Sequence, residues 1–125
     1  MREDLKTARR ALGVVQRLLL REHLQRVEQL LDPSETVQVL TPGWWRGHRS
    51  LVVVTTSRLL LLRRQLKCSS ADHAAYSFRR IGQLSVHAAP PEGARFRITV
   101  GLDLEEFSVT GRAAELERAL LTART

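Results

Sequence analysis

Residues 51–62 read LVVVTTSRLLLL. Two apolar blocks, Leu51–Val54 and Leu59–Leu62, flank the polar tetrad Thr55-Thr56-Ser57-Arg58. A membrane-spanning helix needs about 20 apolar residues, and this stretch is shorter and broken by Arg58. Consecutive valines and threonines also disfavour a helix, because β-branched side chains lose χ1 freedom there. The stretch therefore reads as a tight hairpin of two buried strands.

Upstream, residues 4–31 contain no proline and read as one long helix. Leu5, Ala8, Leu12, Val15 and Leu19 form one apolar stripe, and Leu20, Leu24, Val27 and Leu31 continue it shifted by one residue. Asp32-Pro33 stops the helix. Some 28 residues would run to about 42 Å, longer than one face of a small barrel. The stripe has three readings: packing along the barrel, contact with a partner or a second copy, or a basic amphipathic membrane helix with Arg9, Arg10, Arg17, Arg21 and Arg26 on its polar side.

After Pro33 the pattern is that of strands. Expected are strands over 36–40, 49–55, 58–64, 74–78, 83–88, 95–101 and 102–109, with residues 41–48 as a turn and 65–72 as a loop. Arg95-Phe96-Arg97-Ile98-Thr99-Val100 alternates in the manner of a half-buried strand. A closing amphipathic helix carries Ala113, Leu116, Leu120 and Ala123 on one face, with Thr110 as its expected N-cap. Short turns between successive strands favour an antiparallel meander that curls into a sandwich or a partly open barrel, with the last helix burying its stripe against one end. The expected organisation is an amphipathic helix over 1–31 and one domain over 32–125.

The chain has 125 residues, enough for a single core without staples. One cysteine, Cys68, excludes an internal disulfide framework. No signal peptide is visible, so cytoplasmic residence is the expectation, with peripheral membrane attachment as its extension. The net charge is +7 and is carried almost wholly by arginine, yet residues 90–110 hold four acids against two bases. A basic surface of this kind reflects either arginine-rich coding or an anionic partner.

Seven strands and a C-terminal helix are the plan of the pleckstrin-homology superfold. The phrase Leu51–Leu62 resembles the strand 2–strand 3 hairpin of bacterial pleckstrin-homology-like and GRAM domains: an apolar strand, Thr-Asp, any residue, Arg, then an apolar strand. Thr56 stands here in place of the acid. Pro33-Ser34-Glu35-Thr36-Val37 is similar to that family's Gly-Glu lead-in to strand 1, with Ser34 for glycine. Ser77-Phe78-Arg79-Arg80-Ile81-Gly82-Gln83-Leu84 is similar to its strand 4–strand 5 connection, in which an isoleucine docks into the core. The resemblance covers about residues 32–123. It implies a mainly β, α+β fold: a seven-stranded antiparallel barrel or roll with a capping C-terminal helix, preceded by the long N-terminal helix. Lipid-binding members hold phosphate with a basic motif between strands 1 and 2; here that segment has Arg46, His48 and Arg49 but no lysine.

Fold does not give function. Trp44, Trp45, Arg46, His48 and Arg49 form the leading candidate site, because Trp and Arg are enriched both at protein hot spots and at bilayer interfaces. Arg63, Arg64 and Lys67 extend it where strand 3 ends. The four histidines are scattered, with no zinc-ligand spacing and no nucleophile elbow. The chain accordingly reads as a non-enzymatic interaction module without cofactor or metal: a protein-binding adaptor or an oligomerisation domain. The alternative is peripheral binding to anionic lipid through the basic and tryptophan residues. Non-specific nucleic-acid binding ranks lower, since phosphate contact alone would have to carry it.

Overall fold

The computed structural model describes residues 3–4, 21–63, 73–89 and 93–124. Helix α1 spans Arg21–Leu30, strands β1 to β4 span Val37–Trp45, His48–Thr55, Arg58–Arg63 and His73–Ser77, and a 3-10 turn spans Phe78–Arg80. Strands β5 to β7 span Ile81–Ala89, Gly93–Val100 and Asp103–Val109, and helix α2 spans Ala113–Arg124. Of the helix expected over residues 4–31, positions 5–20 lie outside the described residues, as do Arg64, Lys67 and Cys68.

All seven strands join one antiparallel sheet in the order β4-β3-β2-β1-β7-β6-β5. It is open at β4 and β5, and it is rolled, because the inward faces of both halves share one core. Val52, Val54, Leu59 and Leu61 from the first half pack with Phe96, Ile98, Phe107 and Val109 from the second, and Leu116 and Leu120 of α2 close the core. Phe96 and Phe107 stack with ring centroids 5.2 Å apart. Ile81, expected to dock into the core, is buried there.

A second core explains why residues 51–62 are apolar without alternation. Leu51, Val53, Leu60 and Leu62 point to the outer face of the sheet, together with Val37 and Leu40, and Val27 and Leu31 cover them. Strands buried on both faces read as continuous hydrophobic runs. Over the described part of the N-terminal segment, the apolar stripe is thus applied to the barrel. A register shift between Val37 and Val39 lets these two residues face opposite cores although they are two apart.

The two family-like motifs are joined physically. The Arg58 guanidinium grips the Glu35 carboxylate in fork fashion, Nε to Oε2 at 2.8 Å and Nη2 to Oε1 at 2.9 Å. Thr55 and Ser57 donate their hydroxyls to Oε2 at 2.6 and 2.8 Å, and the Asp32 N–H donates to Oε1 at 3.1 Å. Arg58 Nη2 also donates to the Leu30 carbonyl at the end of α1, where a helix leaves carbonyls unpaired. Thr56, in place of the family's acid, accepts the Thr36 N–H with its hydroxyl. Burial alone would raise the Glu35 carboxyl; the hydrogen bonds from Arg58, Thr55, Asp32 and Ser57 outweigh it and bring the pKa down to about 2.

Two expectations are corrected. Residues 41–45 belong to strand β1 rather than to a turn, so the turn is only Arg46-Gly47. Gly43 is needed in that strand because β7 crosses so closely that a Cβ there would lie 2.0 Å from the Ser108 carbonyl oxygen. Pro42 is tolerated because β1 gains its second neighbour only from Gly43 onward. Thr110 is not the N-cap: helix α2 starts at Ala113, its first bond runs from the Leu116 N–H to the Arg112 carbonyl, and the Thr110 hydroxyl turns to the Pro42 carbonyl.

Candidate functional site

Extending β1 through Trp45 separates the two tryptophans, since successive strand residues face opposite ways. Trp45 turns inward and is 1% exposed, whereas Trp44 turns outward and is 45% exposed. The hairpin between them and β2 has positive φ at both central residues, Arg46 (52°) and Gly47 (78°). That is the signature of a type I′ turn, which favours Asn-Gly. An arginine at its first position costs on the order of 1 kcal/mol in backbone strain, so its side chain has to supply a reason for its presence.

The reason lies at the inner end of the roll. Glu105 of β7 is buried and collects three partners. Its Oε1 accepts Trp45 Nε1–H at 2.9 Å, and its Oε2 accepts the Tyr76 hydroxyl at 2.6 Å and Arg46 Nη2 at 3.1 Å. The Arg46 guanidinium carbon lies 4.5 Å from the centroid of the Trp45 ring, a cation–π arrangement. Burial, reinforced by the hydrogen bond to Glu105, pushes the Tyr76 phenol up to about 12. The cluster ties β1, β4 and β7 together and leaves Trp45 no surface for a partner. Beside it, Arg63 donates to the His48 ring Nε2 at 2.6 Å.

Trp44 belongs to another surface. Register pairs it with Arg49 on β2 and Ser108 on β7; Ser108 pairs with Arg95 on β6, and Arg95 with His87 on β5. Arg49, Trp44, Ser108, Arg95 and His87 therefore form one row on the outer face, and all but the half-buried Ser108 are exposed. At about 4.8 Å per strand the row is roughly 19 Å long. A cleft of about 160 Å³ opens beside it, lined by Trp44, Arg46, Gly47, Arg95 and Ser108, with Trp45 and Phe107 behind. Glu106, at its rim, is bound by Arg97 at 2.6 Å.

The positions singled out in the sequence do not make one surface. Trp44 and Arg49 share the row, and Arg46 borders the cleft. Trp45 is structural, His48 and Arg63 hold each other, and Arg64 and Lys67 lie outside the described residues. Arg95, His87 and Ser108 were missed. The alternation through residues 95–100 already set Arg95 facing solvent, but only the β1–β7 pairing brings it beside Trp44.

Among the described residues no three His, Cys, Asp or Glu side chains are grouped so as to hold a metal ion, and no helix is long and apolar enough to cross a membrane.

Neither protein-family sequence profiles nor curated protein sequences match the chain. Solved structures do. A DUF1696 family protein with a pleckstrin-homology domain from Shewanella loihica PV-4 superposes with a TM-score of 0.55 at 15% identity, over 85% of this chain and 93% of that one. A pleckstrin-homology domain from Shewanella amazonensis SB2B superposes with a TM-score of 0.51, also at 15% identity, over 84% of this chain and 97% of that one. The fold is pleckstrin-homology-like.

Proposed function

We propose that this chain is a non-enzymatic interaction module that docks a protein on the outer face of its sheet, with Trp44 as the anchor. The observation that carries the reading is the 45% exposure of Trp44 within a row whose charged members are arginines. Tryptophan and arginine are the residues most enriched at hot spots. Ser108, Glu106 and Leu104 alternate outward along β7, so the face runs on from Trp44 to the exposed Leu104. Peripheral lipid binding has less support: Trp45 is buried, and Arg63 is held by His48. Oligomerisation through the N-terminal helix is weakened over the described turns by the burial of Val27 and Leu31 against the sheet. A cytoplasmic setting remains part of the proposal.

A photo-crosslinking amino acid at position 44 tests it in cells. Discrete protein adducts are expected at 44 and not at the exposed position 121 on α2. Adducts equally abundant at both positions, or adducts to lipid alone, would sink the docking reading.

A further inference from the structure

We infer that the docked segment is a short, extended, acidic stretch of a partner protein, which lies along the Arg49–Trp44–Ser108–Arg95–His87 row and sets one carboxylate in the cleft between Arg46 and Arg95. This deepens the docking reading above and rests on it.

Charge gives the sign of the ligand. Arg49 and Arg95 are exposed, and no described acid pairs with either. The two acids nearby are already matched, Glu106 by Arg97 and Glu105 by Arg46, Tyr76 and Trp45. Arg46 is 55% exposed at its side chain and uses one of its five N–H donors on Glu105, so it has donors left for a second carboxylate. Ser108 lines the same cleft.

Area gives the kind of ligand. The row is roughly 19 Å long, and the reach of β7 from Ser108 to Leu104 adds roughly 14 Å in the other direction. The product, roughly 270 Å², is about a third of the roughly 800 Å² per partner that a standard globular interface buries. A second copy or a folded partner would need more; an extended segment would not. Reach gives the spacing. Three strand intervals separate Arg49 from Arg95, about 14 Å, which an extended chain covers in about four residues. The ligand therefore carries two carboxylates about four residues apart, with an apolar side chain between them over Trp44.

The test titrates the full chain with a short synthetic peptide of that pattern, two glutamates around a central leucine, and with its glutamine twin. Binding is followed by NMR on the Trp44 indole N–H and on the backbone N–H groups of residues 95 and 108, which report in Trp44→Ala as well. The glutamate peptide is expected to bind at least tenfold more tightly than the twin, with loss of at least tenfold in Arg95→Glu and in Arg49→Gln, each checked for an unchanged fold by its spectrum. Equal affinity of the two peptides, or no response of Trp44 to either, overturns the acidic-segment inference. Vesicles of phosphatidylserine and phosphatidylcholine are run alongside; shifts at Trp44 with vesicles and none with peptide overturn it in favour of a lipid surface. Trp44→Ala separates the two levels. Undiminished peptide binding by that variant defeats the docking reading itself, whereas loss of binding by it with no glutamate preference defeats only the acidic inference.

Discussion

Replacing Glu35 by glutamine should cost about 3 kcal/mol at neutral pH, and that cost should fade in acid. Glu35 is 2% exposed and collects five hydrogen bonds, from Thr55, Ser57, Asp32 and two nitrogens of Arg58. Its pKa falls from 4.5 to about 2 on folding. At about 1.4 kcal/mol per tenfold change in proton affinity, that depression amounts to about 3 kcal/mol. The folded-state pKa is the lower one, so the stabilisation is complete above the unfolded value near 4.5 and is lost as pH falls through 2. Glutamine keeps the shape but offers one acceptor oxygen in place of two, and it leaves the Arg58 guanidinium, 23% exposed, without the carboxylate that pairs with it. Breaking a buried pair from one side costs about 3–5 kcal/mol, and the partial exposure of Arg58 places this case at the low end. Urea melts of both proteins at pH 7, 5 and 3 measure the gap directly. The difference between them is the readout, because other carboxylates titrate in both. A gap below about 1 kcal/mol at pH 7, or one that stays constant down to pH 3, would refute the reasoning.

The remaining predictions concern the other end of the roll. Tyr76 is the single tyrosine, so alkaline absorbance titration reads it alone; the native midpoint should lie near 12, against about 10 in denaturant. Its raised pKa means that this contribution to stability is intact below pH 10 and lost as pH climbs toward 12. Arg46→Asn should change the melting free energy by less than about 1 kcal/mol, because easing the turn offsets the loss of a half-exposed ion pair and cation–π contact. Glu105→Ala strands the Trp45 and Tyr76 donors in the interior and should cost about 2–4 kcal/mol by the same melts. Gly43→Ala forces β1 and β7 apart at the Ser108 carbonyl; faster amide exchange confined first to residues 43–45 and 107–109 is the expected signature.

The elements that speak through local chemistry were legible in the sequence. The hairpin at 51–62 announced itself by β-branched residues and a Thr-Ser turn, and α2 by its stripe; the core position of Ile81 came from the resemblance of its connection to the pleckstrin-homology-like one. Pro42-Gly43 misled, because proline and glycine signal turns unless a second strand arrives to need them. The bond between Glu35 and Arg58 spans 23 positions, and a pattern confined to neighbours does not carry it. The site divided in the same way. Trp44 and Arg49 stood out by type and proximity, whereas Arg95 and His87 became neighbours of Trp44 only through register.

The β1–β7 seam has a consequence in time. It consists of three residue pairs, Gly43 with Val109, Trp44 with Ser108 and Trp45 with Phe107, joining parts of the chain about 65 positions apart. Contacts this distant in sequence form late, because a long loop must be closed before they repay it. Arg49 and Trp44 come from one side of the seam, and Ser108, Arg95 and His87 from the other. The row therefore exists only after the roll has closed, and a partner of the proposed kind, reading the whole row, would engage finished molecules and pass over chains still folding.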